Sequence, residues 1–293
     1  MALHEILTDA ELAELCHAKD HIAISSRVVK ISNEAVIKYG WNLQPEEAQN
    51  LRIAGAILDP AIIRVPKFYR YFTHGEYSYL VMEYIEGRTP PESEYEDLAN
   101  KIVNVLRYFR SIRGDIPGSL SGGISRGYFW ESDFPNFQTT KQLEDWMNKR
   151  AQYNPKISLQ GRDLVLCHLD LAPRNIIQGQ KDGSLYLLDW ESAGYYPESF
   201  ELAGLGMTNM HTTRFEYILR EKLGKDLGAD DATFTENKTM IEAWLRGDRT
   251  YFKPTEISNR PPPFDITAYM ARNGLLSTKT PAPAQPSPTA QVR

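Results

Sequence analysis

The chain has 293 residues, of which 42% are hydrophobic and 24% charged, as is ordinary for a globular protein. Its formal net charge of −5 argues against a nucleic-acid partner, because binding to phosphates requires a basic surface. With two cysteines, no recognisable N-terminal leader and no apolar run near the ~18 residues that a membrane span needs, we expect a cytoplasmic protein without a disulfide framework or a membrane segment.

The first predicted elements are a helix and a group of short strands. Residues 8–11 have the spacing of a capping box and predict that a helix begins there. Apolar segments then predict strands at 21–24, 28–31 and 35–39. Lys38 lies inside the third strand, on the face of Val36, where an unpaired lysine is normally unwelcome. It is either a residue on a solvated face of the sheet or part of a functional site.

A second helix and a hairpin complete the first predicted domain. Pro45 suits the first turn of a helix, and Glu47 lies early in that helix. Two apolar segments, 68–72 and 77–84, flank a short turn and predict a β-hairpin. The second arm is too apolar for a half-exposed strand, so we expect it to be buried.

The pattern becomes helical after this hairpin. Gly87 and the pair Pro90-Pro91 interrupt regular structure. The helices predicted beyond them cover 95–112, 139–150, 201–210, 215–223 and 239–245. The last 17 residues combine Pro, Ala, Ser, Thr and Gln with no aromatic residue, a composition typical of disorder. We therefore predict an N-terminal domain at 1–86, a helical domain at 87–276 and a disordered tail at 277–293.

The stretch from Cys167 to Glu191 carries the strongest functional signal. It reads as an apolar strand, a loop, a second apolar strand and then Asp189, and the loop contains Asp170 and Asn175. Flanking strands would hold the loop rigidly, with Asp189 close to it. Three oxygen-bearing side chains so placed suit a hard divalent ion and a hydroxyl group to be deprotonated. The alternative is a polar turn between buried strands, which the His-x-Asp-x4-Asn spacing disfavours.

The order of these parts resembles the protein-kinase-like superfamily and, within it, the aminoglycoside phosphotransferase-like small-molecule kinases, especially their fungal branch. The segments that carry the resemblance read VIKYG, EEAQNLRIA, LVMEYIEGRTP, CHLDLAPRNI and LLDWESAGYYPESFE. The resemblance covers roughly residues 20 to 250. It implies an α+β, bilobal protein-kinase-like fold, with a β-rich N-terminal lobe that binds nucleotide and a mainly helical C-terminal lobe for catalysis and substrate.

The resemblance also implies which residues bind ATP. Lys38 would hold the α- and β-phosphates, and Glu47 would orient Lys38, with Glu46 as an alternative partner. The residues expected around the adenine are Met82, packed behind it, and the backbone of Glu83, Tyr84 and Ile85. The loop that covers the phosphates departs from the family pattern, because it lacks Gly-x-Gly-x-x-Gly and offers only Ser25-Ser26-Arg27. We expect the Arg27 side chain or backbone N–H groups of this loop to contact phosphate.

For the chemical step, the resemblance implies Mg²⁺ held by Asn175 and Asp189, and Asp170 as the base that accepts the proton of an attacking hydroxyl. His168 is interpreted as a packed support for the loop. Leu169 stands where relatives commonly have glycine or a polar residue.

The segment after Asp189 indicates the class of acceptor. A protein kinase has a long activation segment here, but residues 190–194 run directly into Tyr195 and a predicted helix. The expected reaction is therefore ATP-dependent transfer of the γ-phosphoryl group to a hydroxyl of a small molecule. The alternatives are a weak or inactive pseudokinase that serves as a binding scaffold and a protein-directed kinase. The candidates for lining the acceptor pocket are Trp130, Glu131, Trp190 and Glu191. For the two tryptophans, the alternative interpretation is packing in the core. The sequence predicts neither the identity of the acceptor nor an oligomeric state.

Overall fold

The N-terminal lobe is built on one five-stranded antiparallel sheet. A computed structural model describes residues 2–246 of the protein, apart from 19–21, 26, 128, 131–133 and 208–212. The strands of the sheet are β1 (Ile22–Ser25), β2 (Val28–Lys30), β3 (Ala35–Gly40), β4 (Phe68–His74) and β5 (Tyr77–Glu83). Their order across the sheet is β1-β2-β3-β5-β4. The helices of this lobe are α1 (Leu3–Ile6), α2 (Asp9–His17) and α3 (Pro45–Ile57).

The predicted elements of this lobe are confirmed, with bounds that shift by one or two residues. The capping box at α2 forms as expected: Thr8 Oγ1 accepts the N–H of Glu11 at 3.3 Å, and the Glu11 carboxylate accepts the N–H of Thr8 at 2.8 Å. Pro45 occupies the first turn of α3, where its missing N–H costs no helical hydrogen bond.

Alternation along β3 separates a packed face from the face that carries Lys38. Ile37 packs in a buried cluster with residues of α2 and of β5. Successive side chains of a strand point to opposite faces, so Val36 and Lys38 share the other face. The register pairs these two residues with Met82 and Leu80 of β5. Lys38 therefore projects away from α2.

The C-terminal lobe is mainly helical. Its α-helices in the described residues are α4 (Tyr95–Phe109), α5 (Thr140–Arg150), α6 (Ser199–Gly204), α7 (Arg214–Asp226) and α8 (Asp231–Arg246). Its short strands are β6 (Gly87–Arg88), β7 (Arg113–Gly114), β8 (Gly118–Ser119), β9 (Leu164–Cys167), β10 (Ile176–Gly179), β11 (Leu185–Leu187) and β12 (Gly194–Tyr196). They form two antiparallel sheets with the orders β11-β10-β6 and β7-β9-β12-β8. Of the helices described, none is long and apolar enough to cross a membrane.

Several helix bounds in this lobe differ from the predicted ones. The helix predicted at 95–112 ends at Phe109. The one predicted at 201–210 corresponds to α6, which ends at Gly204, and residues 208–210 of that prediction lie outside the described residues. The helix predicted at 239–245 begins already at Asp231, because the Asp230 carboxylate caps it by accepting the N–H of Thr233 at 2.8 Å. The tail predicted at 277–293 lies outside the described residues.

Candidate active site

Lys38, Glu47 and Asp189 meet where β3, α3 and the segment after β11 converge. Lys38 Nζ donates to Glu47 Oε1 at 2.7 Å and to Asp189 Oδ1 at 3.2 Å. The side chains of Lys38 and Glu47 are 22% and 5% exposed. Burial disfavours the charged lysine, but Glu47 and Asp189 outweigh that effect and raise the pKa of Lys38. Lys38 is therefore a charged bridge between the two lobes and not a residue on a solvated face.

The pKa values of the two carboxylates that hold Lys38 are shifted in opposite directions. Burial raises the pKa of Glu47 to about 7, although Lys38 acts in the opposite direction. Burial also disfavours the charge of Asp189, but Lys38 outweighs it and holds the pKa of Asp189 below its usual value. The lowered pKa of Asp189 favours its ionised form, which can bind a cation.

Asp170 lies in the loop after β9, with a hydrogen bond to each carboxylate oxygen. Oδ2 accepts from Asn175 Nδ2 at 2.7 Å, and Oδ1 accepts from Arg174 at 2.5 Å. Asn175 Nδ2 also donates to the backbone oxygen of Asp170 at 2.8 Å, so the amide presents its oxygen on the other side. The N–H of Leu188 donates to the backbone oxygen of Asn175 at 2.8 Å. The loop is therefore fastened next to Asp189.

Two residues of the site have a left-handed backbone, with φ of 63° at Leu169 and 60° at Asp189. This region is unfavourable for residues other than glycine, so other contacts must hold it. The N–H groups of His168 and Leu169 donate to Glu201 Oε1 on α6 at 2.6 and 2.5 Å. Burial raises the pKa of Glu201 to about 7, against the effect of these two hydrogen bonds. A side chain of α6 thus holds the strained turn before Asp170.

His168 supports the loop from within the core, as interpreted from the sequence. The ring is buried, with Nε2 donating to the backbone oxygen of Leu188 at 2.9 Å. Nδ1 accepts the N–H of Asp170 at 3.3 Å. Burial lowers the pKa of His168, which favours the neutral ring that these two bonds require.

The residues around Asp189 fit a divalent cation. Carboxylate oxygens of Glu47, Asp189 and Glu191 lie within 4.8 Å of one another. These carboxylate oxygens are hard donors of the kind that Mg²⁺ prefers. The sequence predicted Glu191 only as a lining residue of an acceptor pocket, although its position two residues after Asp189 is a signal for a second carboxylate at the cation.

The residues predicted to surround adenine lie at the end of β5. Met82 is the partner of Val36 in the register and shares its face. The N–H groups of Glu83 and Tyr84 already donate to backbone oxygens 2.9 Å away. Ile85, which follows them, is buried. The structure therefore places Met82 on the same face of the sheet as Lys38. The N–H groups of Glu83 and Tyr84, which were expected to be available to adenine, are instead hydrogen-bonded within the N-terminal lobe.

Arg27 and Glu46 have partners outside this cluster. Arg27 Nη1 donates to Asn42 Oδ1 at 3.0 Å, in the turn after β3. A carboxylate oxygen of Glu46 lies 3.5 Å from Arg126. Of the two glutamates left open by the sequence, the structure thus pairs Glu47 with Lys38.

Trp130 and Trp190 are core residues, 0% and 1% exposed. Trp130 stacks on Tyr196 with 5.4 Å between ring centroids. Trp190 Nε1 donates to the backbone oxygen of Leu187 at 2.9 Å. Core packing, the second interpretation of these aromatics, is confirmed. Glu131 lies outside the described residues.

Three polar residues that contact the site were absent from the candidates. Arg174 lies four residues after Asp170 in the same loop, a position that would have marked it as a neighbour. Glu201 and Asn50 lie on helices remote in sequence from their partners in the segments around Asp170 and Asp189. The one sequence feature that could have indicated Glu201 and Asn50 is that each is a polar residue on the buried side of its helix.

Comparison with known proteins identifies relatives of the chain. A model of the family described as "Phosphotransferase enzyme family" matches residues 26–234. Ethanolamine kinase 2 of Mus musculus is 25% identical over 150 residues, which cover 51% of this chain and 33% of that protein. The chain thus spans about a third of the length of the curated relatives it matches.

Solved structures share the fold. A thermostable mutant of aminoglycoside phosphotransferase APH(4)-Ia in its apo form has a TM-score of 0.51 and 13% identity, over 76% of this chain and 83% of that chain. The ternary complex of such a mutant with AMP-PNP and hygromycin B has a TM-score of 0.51 and 12% identity, over 81% of this chain and 88% of that chain. These likenesses confirm the predicted α+β, two-lobed fold.

Proposed function

Because the chain belongs to the phosphotransferase enzyme family, we propose that it transfers the γ-phosphoryl group of ATP to a hydroxyl group of a small molecule. The observation that carries this proposal is the bridge from Lys38 to Glu47 and Asp189, beside the hydrogen-bonded pair of Asp170 and Asn175. Phosphoryl transfer depends mainly on positioning and on stabilisation of charge. This arrangement supplies both.

In the proposed mechanism, Lys38 holds the α- and β-phosphates while Glu47 fixes the direction of its ammonium group. Asp189 and the amide oxygen of Asn175 would hold Mg²⁺, and Glu191, whose carboxylate lies close to that of Asp189, would be a further ligand. Bound Mg²⁺ neutralises charge on the phosphates. On the adenine side, Met82 packs against the base and the backbone of Glu83 and Ile85 binds its edge, with Ile85 supplying the N–H donor because that of Glu83 is engaged. Arg27 becomes a phosphate contact when its bond to Asn42 opens.

Asp170 is the proposed base for the acceptor hydroxyl. Asn175 orients the carboxylate through Oδ2, and Arg174 occupies Oδ1. The Arg174 side chain is 54% exposed, so its guanidinium is free to give way to an incoming hydroxyl. A positive charge at this place would also stabilise the negative charge of the phosphoryl group during its transfer.

The segment after Asp189 supports a small acceptor. β12 begins at Gly194 and pairs at once with β9 and β8. Because the chain rejoins a sheet five residues after Asp189, there is no room for a long segment on which a protein substrate could dock. The relatives named above include an ethanolamine kinase and a phosphotransferase crystallised with hygromycin B. Hydroxylated amines are therefore the first acceptors to screen.

Two further expectations belong to this proposal. We place the boundary between the lobes after residue 86, because β6 (Gly87–Arg88) already pairs with β10 of the C-terminal lobe. We place the enzyme in the cytoplasm, where the two free cysteines, Cys16 and Cys167, suit a reducing environment.

A thermal-shift titration with ATP and Mg²⁺, repeated on Asp189→Ala, tests the proposal. The wild-type protein is expected to be stabilised by MgATP, and the variant to lose this response. A screen of amino alcohols, aminoglycosides and sugars for ADP release then identifies the acceptor. If neither protein responds to MgATP, the chain is a scaffold; if labelled phosphate reaches added proteins but no small molecule, it is a protein-directed kinase.

A further inference from the structure

Asn50 lies on α3, one turn after Glu47, and no part of it is exposed. Its side chain binds two separate segments of the C-terminal lobe. Nδ2 lies 3.0, 3.3 and 3.2 Å from the backbone oxygens of Trp190, Glu191 and Ala193, which share its two hydrogens. Oδ1 accepts at 3.1 and 2.9 Å from Ser119 Oγ and from the N–H of Ser121. A single side chain of the N-terminal lobe thus fastens the turn that follows Asp189.

This network permits only one orientation of the amide. Backbone oxygens have no hydrogen to donate, so only the NH₂ group of Asn50 can face three of them. The N–H of Ser121 in turn requires an oxygen acceptor. An aspartate at this position would place a second oxygen against the three backbone oxygens. The contacts therefore select asparagine over its closest isostere.

Asn50 connects the two chain segments that carry the carboxylates holding Lys38. Glu47 precedes it by three residues, a spacing that puts two side chains on the same side of a helix. Trp190, whose backbone oxygen Asn50 binds, follows Asp189 directly, and Asp189 has the strained φ of 60°. Moving Asn50 would displace α3 and the turn at Asp189 together.

We propose that Asn50 is a positioning residue that keeps Lys38, Glu47 and Asp189 assembled without nucleotide and without a regulatory modification, an inference that rests on the proposed phosphotransferase function. In protein kinases the corresponding lysine–glutamate pair depends on helix position and on phosphorylation of a mobile segment. Here the helix is tied directly to residues 190–193 by a buried side chain. The cluster is ready for MgATP as soon as the chain has folded.

Asn50→Asp tests this role, because it keeps the shape of the side chain and removes the donor. We expect the Mg²⁺ concentration needed for half-maximal binding of AMP-PNP to rise by roughly 10–100-fold, the range for residues that orient metal ligands. The matched control is Asn148→Asp on α5. Asn148 also exchanges two hydrogen bonds with remote backbone, donating to the oxygen and accepting the N–H of Ile157, each at 2.8 Å.

The control variant is expected to lose stability but keep the Mg²⁺ dependence of the wild-type protein. If Asn50→Asp is folded, by its circular dichroism and cooperative melting, and also keeps that dependence, the role of Asn50 is merely structural and the proposal is overturned.

Amide exchange of the unaltered protein tests the same inference without a variant. The N–H of Ser121 is expected to be protected from exchange without nucleotide, and MgAMP-PNP is expected to add little. Protection that arises only with MgAMP-PNP would overturn the proposal. The N–H of Ser121 could also be protected from exchange in a wild-type protein that does not bind MgAMP-PNP. That result would count against the phosphotransferase function, but it would still support a cluster that is assembled without nucleotide.

Discussion

Replacing Lys38 with methionine would leave Glu47 without its counter-ion in an almost closed site. The two side chains meet at 2.7 Å, and that of Glu47 is 5% exposed. Breaking a buried ion pair by removal of one partner costs about 3–5 kcal/mol. We expect the lower end, about 3 kcal/mol, because Lys38 itself is partly exposed and water can reach the space that it vacates.

The loss of stability in Lys38→Met should be larger at high pH than at low pH. Burial raises the pKa of Glu47 from its usual 4.5 to about 7 even with Lys38 present, so the folded protein binds this proton more tightly than the unfolded chain. The contribution of Glu47 to the free energy of unfolding therefore falls as the pH rises from 4.5 to about 7 and is level above that. Without Lys38 the pKa of Glu47 rises further. Lys38→Met should consequently be destabilised more at pH 8 than at pH 5, where Glu47 is protonated in both proteins.

Urea unfolding at pH 5 and pH 8 measures this difference. The control is Lys38→Met combined with Glu47→Gln, which removes both charges and should recover most of the stability lost at pH 8. Equal losses at the two pH values would refute the reasoning. So would a double variant no more stable at pH 8 than Lys38→Met.

Three more outcomes are expected. Asp170→Asn should abolish phosphoryl transfer while MgATP binding, measured by calorimetry, stays within a few-fold of wild type; lost binding would mean a structural role. In Glu201→Gln the amide oxygen can still accept the N–H groups of His168 and Leu169. Because burial raises the pKa of Glu201 to about 7, the wild-type carboxylate is charged and buried at pH 8, so this variant should be at least as stable as the wild-type protein there. Glu201→Ala, which removes the acceptor, should lower the free energy of unfolding measured in urea by about 1–3 kcal/mol. Burial raises the pKa of Cys16 to about 12 and that of Cys167 as well, so both thiols should resist a thiol reagent at pH 8 until urea unfolds the chain; a fast reaction of the native protein would contradict this.

Patterns that extend over one element were predictable from the sequence. The capping box at Thr8, the apolar arm of β5 and the first-turn proline of α3 all formed where expected. Each depends on residues within a few positions of one another, so local propensity and periodicity suffice. The two-residue strands β6, β7 and β8 were missed because such short segments pair only when distant chain brings a partner.

The candidate site shows the same division. Asp170 and Asn175 stand in one short loop, and their spacing already indicated that they act together. Lys38 was ambiguous as a strand lysine until α3 placed Glu47 and not Glu46 against it. Neighbouring glutamates on a helix point in different directions, so the choice between them depends on how α3 packs.

The sequence by itself predicted the type of chemistry, because carboxylate and amide side chains at a characteristic spacing indicate which groups are available. Only the tertiary structure decided how those groups are held. Asn50 and Glu201 bind backbone atoms more than 30 residues away, through hydrogen bonds that exist only after the segments have packed. A hydrogen bond to the backbone imposes no residue type on its partner, and for that physical reason it leaves no pattern in the sequence.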